Sequence, residues 1–368
     1  MSSALRMLED MGRNRRVTLR CACEDLANDW TSPADLANVR ELRELAQRAV
    51  VGDAPDSVVR AQLRMLPPLS QLRHPLILAF DDQYSGDDDT GMLRETISAV
   101  NDRPWFKQTY SSRWRGAAVV LTENEEETAW LGAAGYHRES SPEDFYEEFG
   151  RRCRSGSDAF LPTDEDITLR RIELKVARLD AWKLQLHLTA LVLLDAAVTN
   201  PEDTYNTTVL SPDSGELLTL SMTVVHTDVQ GTTARELIVE LVPAGWEHPA
   251  LCKMASTIVT SAIDSQPEAW TASPLNDNAV SHWTVLTEDA MSAARAAADS
   301  GELSADVRPG EVRLGTVAHY SHRDHIAYAS VHGEAIRAMC GHWFVPTADH
   351  ETKPTCATCQ EEYAKTPV

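Results

Sequence analysis

The cysteine spacing near the C-terminal end constrains the fold of this chain more than any other feature. The chain of 368 residues carries seven cysteines, and three of them lie within the stretch CGHWFVPTADHETKPTCATC. Cys356 and Cys359 form a Cys-x-x-Cys pair, whose spacing lets two thiolates face one metal ion from a single turn. Cys340 lies upstream beside Gly341, as in half of a second knuckle. The pattern predicts a metal site with the spacing of a zinc knuckle.

A tetrahedral zinc site needs one more ligand, and the sequence offers it as histidine because no further cysteine lies nearby. A shell of three cysteines and one histidine leaves no position for an activated water, so the spacing predicts a structural rather than a catalytic ion. The spacing leaves six candidates open for the fourth ligand: His319, His322, His325, His332, His342 and His350.

The segment from His319 to Tyr363 resembles an uncharacterised zinc-ribbon-like family of small actinobacterial proteins. The resemblance implies that the zinc ligands are His319, Cys340, Cys356 and Cys359, and it implies no reaction. The chain departs from the family pattern at Ala348 and His350, where arginine and proline flank the aspartate. The matching positions are His319-Tyr320, Ala338-Met339-Cys340-Gly341, Phe344-Val345-Pro346, Asp349, Pro354, Cys356, Cys359 and Tyr363.

The charge of the chain bears on its partners. The formal net charge is −22, and affinity for phosphate depends on accumulated lysine and arginine, so nucleic acid is disfavoured as a partner. We expect another protein as the partner instead; the sequence leaves the oligomeric state open.

The odd number of cysteines and the lack of a signal peptide indicate a cytoplasmic protein. The apolar stretch Leu186–Val198 is too short to span a membrane.

Residues 1–158 are predicted to form a first domain of helices and an antiparallel sheet. Helical spacing of apolar residues predicts helices up to about residue 75. The short apolar run PLILAF (75–80) predicts a buried strand, and MLRETISAV (92–100) predicts a helix. Three runs separated by short polar turns, WFKQTYS, RWRGAAVVL and TAWLGAAGYHR, predict an antiparallel meander.

This meander combines basic and aromatic residues within an acidic chain. The stretch RPWFKQTYSSRWRGAA holds no acidic residue, and strand alternation places neighbouring side chains on opposite faces. The order of elements resembles compact bacterial toxins of the ribosome-dependent ribonuclease type, which implies catalytic roles for Lys107, Arg113, Arg115 and His137. The alternative is a half-solvated sheet whose arginines pair with nearby acids, namely Asp102, Glu123, Glu125 or Glu126.

Residues 159–300 are predicted to form a second α+β domain, and residues 316–368 the zinc ribbon. A helix starting at Thr163-Asp164-Glu165-Asp166 and running to about Val198 is apolar on most sides in its second half, which predicts a buried spine. On it, His187 and Asp195 are expected to be core groups with satisfied hydrogen bonds. Strands at NTTVLS, ELLTLSMTVVH and RELIVELV form a predicted three-stranded meander, and HPALCKMASTIVTSAI and EDAMSAARAAADSG form predicted helices.

The sequence therefore predicts an α+β multidomain protein with a C-terminal zinc ribbon. Our first hypothesis for its function is a zinc-containing binding or adaptor protein of actinobacterial type that acts through protein–protein contacts, in regulation, mobile-element biology or defence. The alternative is a nuclease-like enzyme that uses the basic-aromatic sheet of the first domain.

Overall fold

The architecture comes from a computed structural model. It describes residues 15–84, 95–97, 103–123, 126–156, 158–229, 232–275, 279–313, 315, 317–332, 336–344, 346 and 350–366. The described residues form two compact units, which divide between Arg178 and Leu179. Helices and antiparallel sheets occur in both units, so the predicted α+β multidomain class is confirmed. The predicted boundaries at 158, 300 and 316 remain a proposal.

The first unit begins with a strand, β1 (Arg15–Val17), a π-helical turn (Cys21–Asp25) and three helices. The first helix, Pro33–Val51, has Ser32 as its N-cap, whose side chain accepts a hydrogen bond from Asp35 N, and Gly52 as its C-cap, whose φ of 78° favours glycine. The three helices are α1 (Pro33–Val51), α2 (Asp56–Leu63) and α3 (Pro75–Tyr84), with a 3₁₀ turn at Leu69–Gln71.

The sheet of this unit has the strand order β1-β4-β3-β2. Its antiparallel meander consists of β2 (Trp105–Tyr110), β3 (Trp114–Glu123) and β4 (Glu126–Tyr136), so the predicted meander is confirmed. The register pairs Lys107 with Ala117 and Thr109 with Arg115. The structure adds β1, which pairs with β4 in parallel. Its three residues are too few to show a periodicity in the sequence.

Both faces of this sheet are covered. One face contributes Trp114, Ala118 and Leu131 to a core shared with α1, α2 and α3. The opposite face contributes Trp105 and Val119 to a second core with helix α4 (Phe145–Ser155). Apolar side chains on opposite faces of β2 and β3 therefore pack into two separate cores.

The second unit is built around a five-stranded antiparallel sheet with the order β5-β6-β7-β9-β8. The predicted meander is present as its first three strands, and β8 and β9 are additions that the sequence analysis missed. The strands are β5 (Thr204–Leu210), β6 (Glu216–Val229), β7 (Thr232–Pro243), β8 (Thr271–Pro274) and β9 (Val280–Val285).

Three helices pack on one face of this sheet, namely α5 (Asp164–Thr199), α6 (Pro249–Ile263) and α7 (Glu288–Ser300). Only the part of α5 from Leu179 onward belongs to this unit; its earlier part, with Leu169 and Ile172, belongs to the first unit and its α1–α3 core. Helix α5 is long and apolar enough to cross a membrane, with a mean hydropathy of 1.3 in its most apolar window. However, 44% of that window is buried, and Leu186, Ala190 and Leu194 lie in the sheet's core. This part of α5 therefore contributes to the core of the second unit.

The C-terminal segment consists of short helices, two short strands and a 3₁₀ turn. They are α8 (Arg323–His332), β10 (Ile336–Arg337), β11 (Trp343–Phe344), a 3₁₀ turn (His350–Thr352) and α9 (Ala357–Ala364). Strands β10 and β11 form an antiparallel hairpin.

Two local predictions were wrong. PLILAF is not a strand but the start of α3, because Leu76, Ile77 and Phe80 have the spacing of one buried helical face. In the segment predicted as a helix at 92–100, the described residues Glu95–Ile97 are extended, and Thr96 pairs with Phe106. The remainder of that segment lies outside the described residues.

Candidate metal centre

Cys340 lies in the turn of the β10–β11 hairpin. Ala338 N donates to His342 O at 2.7 Å, which closes the hairpin, and Gly341 N donates to Ala338 O at 2.9 Å. Gly341 has a φ of 91°, a left-handed conformation that favours glycine. The glycine after the cysteine is thus required for the turn that presents the thiol.

The other knuckle is joined to His319 through the backbone. Ala318 forms a parallel bridge with Thr355 through two hydrogen bonds: Ala318 N donates to Pro354 O at 2.9 Å, and Cys356 N donates to Ala318 O at 2.8 Å. Cys356 is the N-cap of α9, and Cys359 lies in the first turn of that helix. Two backbone contacts therefore bring the histidine, from a separate part of the sequence, beside the Cys-x-x-Cys pair.

The four ligand atoms of His319, Cys340, Cys356 and Cys359 all lie within 4.8 Å of one another. The Nδ1 atom of His319 lies 3.3 Å from the Cys340 Sγ and 3.6 Å from the Cys359 Sγ. A tetrahedral zinc with usual bond lengths separates sulfur and nitrogen ligands by about 3.6 Å and two sulfurs by about 3.8 Å. The spacing of this group therefore suits one metal ion of that size.

The surroundings favour different protonation states for different members of the group. A hydrogen bond from the backbone N–H of Cys359 is the main cause that lowers the pKa of Cys356, and thiolates are the form that binds metal. Burial lowers the pKa of His319, and His342 lowers it further, which favours the neutral imidazole. Burial raises the pKa of Cys340 to about 11. An ion would have to displace that thiol's proton.

The imidazole ring of His319 packs against two neighbouring aromatic rings. Its ring stacks on His342 with centroids 4.8 Å apart and lies 5.6 Å from the ring of Phe344. His322 and His325 instead contact each other at 5.1 Å. Of the six histidines that the spacing left open, His319 is the one that the described residues place in the group of four; the side chain of His332 is not among those described.

The four residues proposed for a nuclease-like site engage local partners. Lys107 Nζ lies 2.9 Å from Glu95 Oε2. Arg113 pairs with Asp29 at 3.2 Å and lies over the ring of Tyr136, a residue that packs against the α1–α3 core. Ion pairing is what the solvated-sheet alternative expected, but the partners among the described residues are Glu95 and Asp29 and not the acids that it named.

Arg115 and His137 likewise form hydrogen bonds with residues close to them in the sequence. Arg115 Nη1 donates to the carbonyl oxygens of Ser111 and Trp114. His137 Nδ1 lies 2.6 Å from Asp144 Oδ2. Burial acts to raise the pKa of Asp144, but hydrogen bonds from Arg138 N and Tyr146 N outweigh it and lower the pKa. Asp144 is the N-cap of α4, so this contact belongs to a helix start.

Comparison with protein families gives one match, which covers the metal centre. Residues 314–366 match the family described as "Protein of unknown function (DUF3039)". No curated protein and no solved structure matches the chain. The predicted resemblance of the C-terminal segment to an uncharacterised family is confirmed. Two positions quoted for that resemblance, Val345 and Asp349, lie outside the described residues.

Proposed function

We propose that the chain is a zinc-containing intracellular binding or adaptor protein of bacterial, actinobacterial type. It acts through protein–protein contacts in regulation, mobile-element biology or defence. The observation that carries this proposal is the group of four ligand atoms around His319. Three sulfurs and one nitrogen fill a tetrahedral shell, which leaves no coordination position for a substrate. The ion's role is then to hold two knuckles and a histidine together.

The exposed side chains beside the metal centre support a role in protein contact. Tyr320, Met339 and Tyr363, which we name the ribbon surface, are exposed by 38%, 38% and 63%. The two tyrosine rings lie 5.2 Å apart, and Met339 N donates to Tyr320 O at 2.8 Å. Tyrosine and methionine are enriched in protein interfaces. The net charge of −22 disfavours nucleic acid here.

A cross-linking experiment in cells tests this function. The wild-type chain should cross-link to a defined partner, and Tyr363→Ala combined with Met339→Ala should abolish that cross-link while zinc content is retained. Met65→Ala is the matched control, since Met65 is 84% exposed and lies in the other unit. A partner that the ribbon variants leave unaffected, or the absence of any partner, would contradict the proposal.

A further inference from the structure

Exposed strand edges attract other strands, and three of the four edges in the two larger sheets are protected. Strand β1 has three residues, two of them arginines. The β2 edge is covered by Glu95–Ile97, where Ile97 N donates to Trp105 O and Lys107 N donates to Glu95 O. Strand β8 has four residues and ends at Pro274. Short strands, charge, proline and coverage are the usual protections of an edge.

Among the described residues, the fourth edge, β5, carries none of these protections along most of its length. It has seven residues, TYNTTVL, without charge or proline. Within the described part of the chain, β5 pairs only with β6. Thr204, Asn206 and Thr208 are exposed. The indole of Trp182 donates to Leu210 O at 2.7 Å, so a side chain closes the C-terminal end and the open edge runs along the rest of the strand.

Acidic residues flank this uncharged edge at both ends. Glu202 and Asp203 precede the strand, Asp213 lies in the turn that follows it, and all three are exposed. The sequence contains no lysine or arginine from residue 200 to 229. An incoming strand therefore meets negative charge at each end and none in the middle, and opposite charge on the partner would match it.

The same charges argue against a second copy of this chain as the occupant. Antiparallel pairing of two β5 strands would place Glu202 and Asp203 of one copy near Asp213 of the other. Like charges that lie opposite each other destabilise a strand pair. On the core-facing side, β5 presents half-buried Tyr205 and buried Val209, which pair well with β-branched residues. The fitting occupant is thus apolar in the middle and basic at its ends.

We propose that the β5 edge binds an extended segment of a partner protein in which basic residues flank an uncharged, β-branched stretch. The segment adds a strand to the five-stranded sheet, with main-chain hydrogen bonds to β5 and ion pairs at both ends. This inference rests on the proposed function, because it names a binding surface and a partner chemistry for the same adaptor role.

The test uses the full-length protein and a synthetic peptide of alternating valine and threonine with lysines at each end. Hydrogen exchange measured by mass spectrometry should show slower amide exchange in residues 204–210 when the peptide is added, and unchanged exchange in residues 271–274. A peptide with glutamates in place of the lysines, and one with a central proline, should not slow exchange at β5. Protection at another site, or equal protection by the glutamate peptide, overturns the proposal.

A charge variant gives an independent measurement of the same site. Asp203→Asn with Asp213→Asn should weaken peptide binding about fivefold, since each exposed ion pair contributes modestly. The matched control is Glu247→Gln with Glu302→Gln, two exposed acids of the same unit outside this edge, which should leave affinity unchanged. Equal losses in both variants, or self-association of the peptide-free protein through β5, overturn the proposal.

Different results would contradict the proposed function and the strand-addition inference. If the peptide does not bind β5 while the ribbon-surface variants still lose a cellular partner, only the strand-addition inference fails. If the peptide binds β5 but the ribbon-surface variants lose no partner, only the proposed function fails.

Discussion

His187 is a buried histidine of α5 that should make the second unit acid-sensitive. The residue is 8% exposed, and its Nδ1 atom has no hydrogen-bond partner among the described residues. Burial lowers the pKa of His187 from 6.5 to about 4. Replacement by leucine removes both the orphaned nitrogen and the titration, while keeping an apolar side chain of similar size.

The sign and the pH window follow from that shift. Above pH 6.5 the imidazole is neutral in both states, so it causes no pH dependence. As pH falls from 6.5 towards 4, the unfolded chain binds a proton that the folded chain does not bind, and the free energy of unfolding decreases. The full shift corresponds to about 3.4 kcal/mol, and residual solvent access reduces this to about 2–3 kcal/mol.

We therefore expect His187→Leu to stabilise the unit by about 1–2 kcal/mol at pH 7, from the removal of an unpaired buried polar atom. At pH 4 the advantage should grow by a further ~2–3 kcal/mol. Urea titrations with hydrogen exchange at β6 and β7 measure this unit separately from residues 15–178. A difference between variant and wild type that does not change with pH would refute the reasoning.

A second buried histidine provides the contrasting variant. His74 is fully buried, but its Nε2 atom lies 2.8 Å from Asn28 O and its Nδ1 accepts from Leu76 N at 3.2 Å. His74→Leu removes the partner of the buried Leu76 N–H and of the Asn28 carbonyl, so we expect it to destabilise the first unit by about 1–3 kcal/mol. Stabilisation by both substitutions would show that size, not hydrogen bonding, decides the result.

Three further predictions use calorimetry, elemental analysis and binding assays. Gly132→Ala should destabilise the first unit by about 2 kcal/mol, since a Cβ there would meet Phe160 O at 2.4 Å, whereas Gly156→Ala has open space; equal melting temperatures would contradict this. His319→Ala should release the metal and His342→Ala should retain it; release by the His342 change alone would reject the ligand set. The protein should bind RNA or DNA weakly with a shallow salt dependence; cleavage lost in Arg113→Ala and Arg115→Ala would instead favour the nuclease hypothesis.

Helices and strands that show a regular repeat of apolar residues along the sequence were predicted correctly. The long helix α5 was predicted to within a residue of its observed end at Thr199, because its apolar residues repeat over many turns. The six residues PLILAF did not distinguish strand from helix, since a short apolar run suits both. Strands β8 and β9 were missed because β8 is short and its pairing with β9 is set by tertiary contact.

Single-residue environments were the least predictable from sequence. His187 and Asp195 were expected to be satisfied core groups. Asp195 pairs with Arg295 at 3.3 Å, but the Nδ1 of His187 has no partner among the described residues. The cysteine spacing selected three members of the metal centre, and six histidines fitted equally well. What brings His319 to the thiols is the Ala318–Thr355 bridge, a contact between distant segments that spacing cannot show.

X-ray absorption at the zinc edge tests the central claim most directly. On protein purified without chelator, the closed shell predicts one zinc per chain with three sulfurs at about 2.3 Å and one nitrogen at about 2.0–2.1 Å. Cys356→Ser should lose the ion, while Cys252→Ser, which changes a cysteine outside the group, should keep it. Absence of metal from the wild-type protein, or a shell with an oxygen ligand in place of one sulfur, would contradict the account.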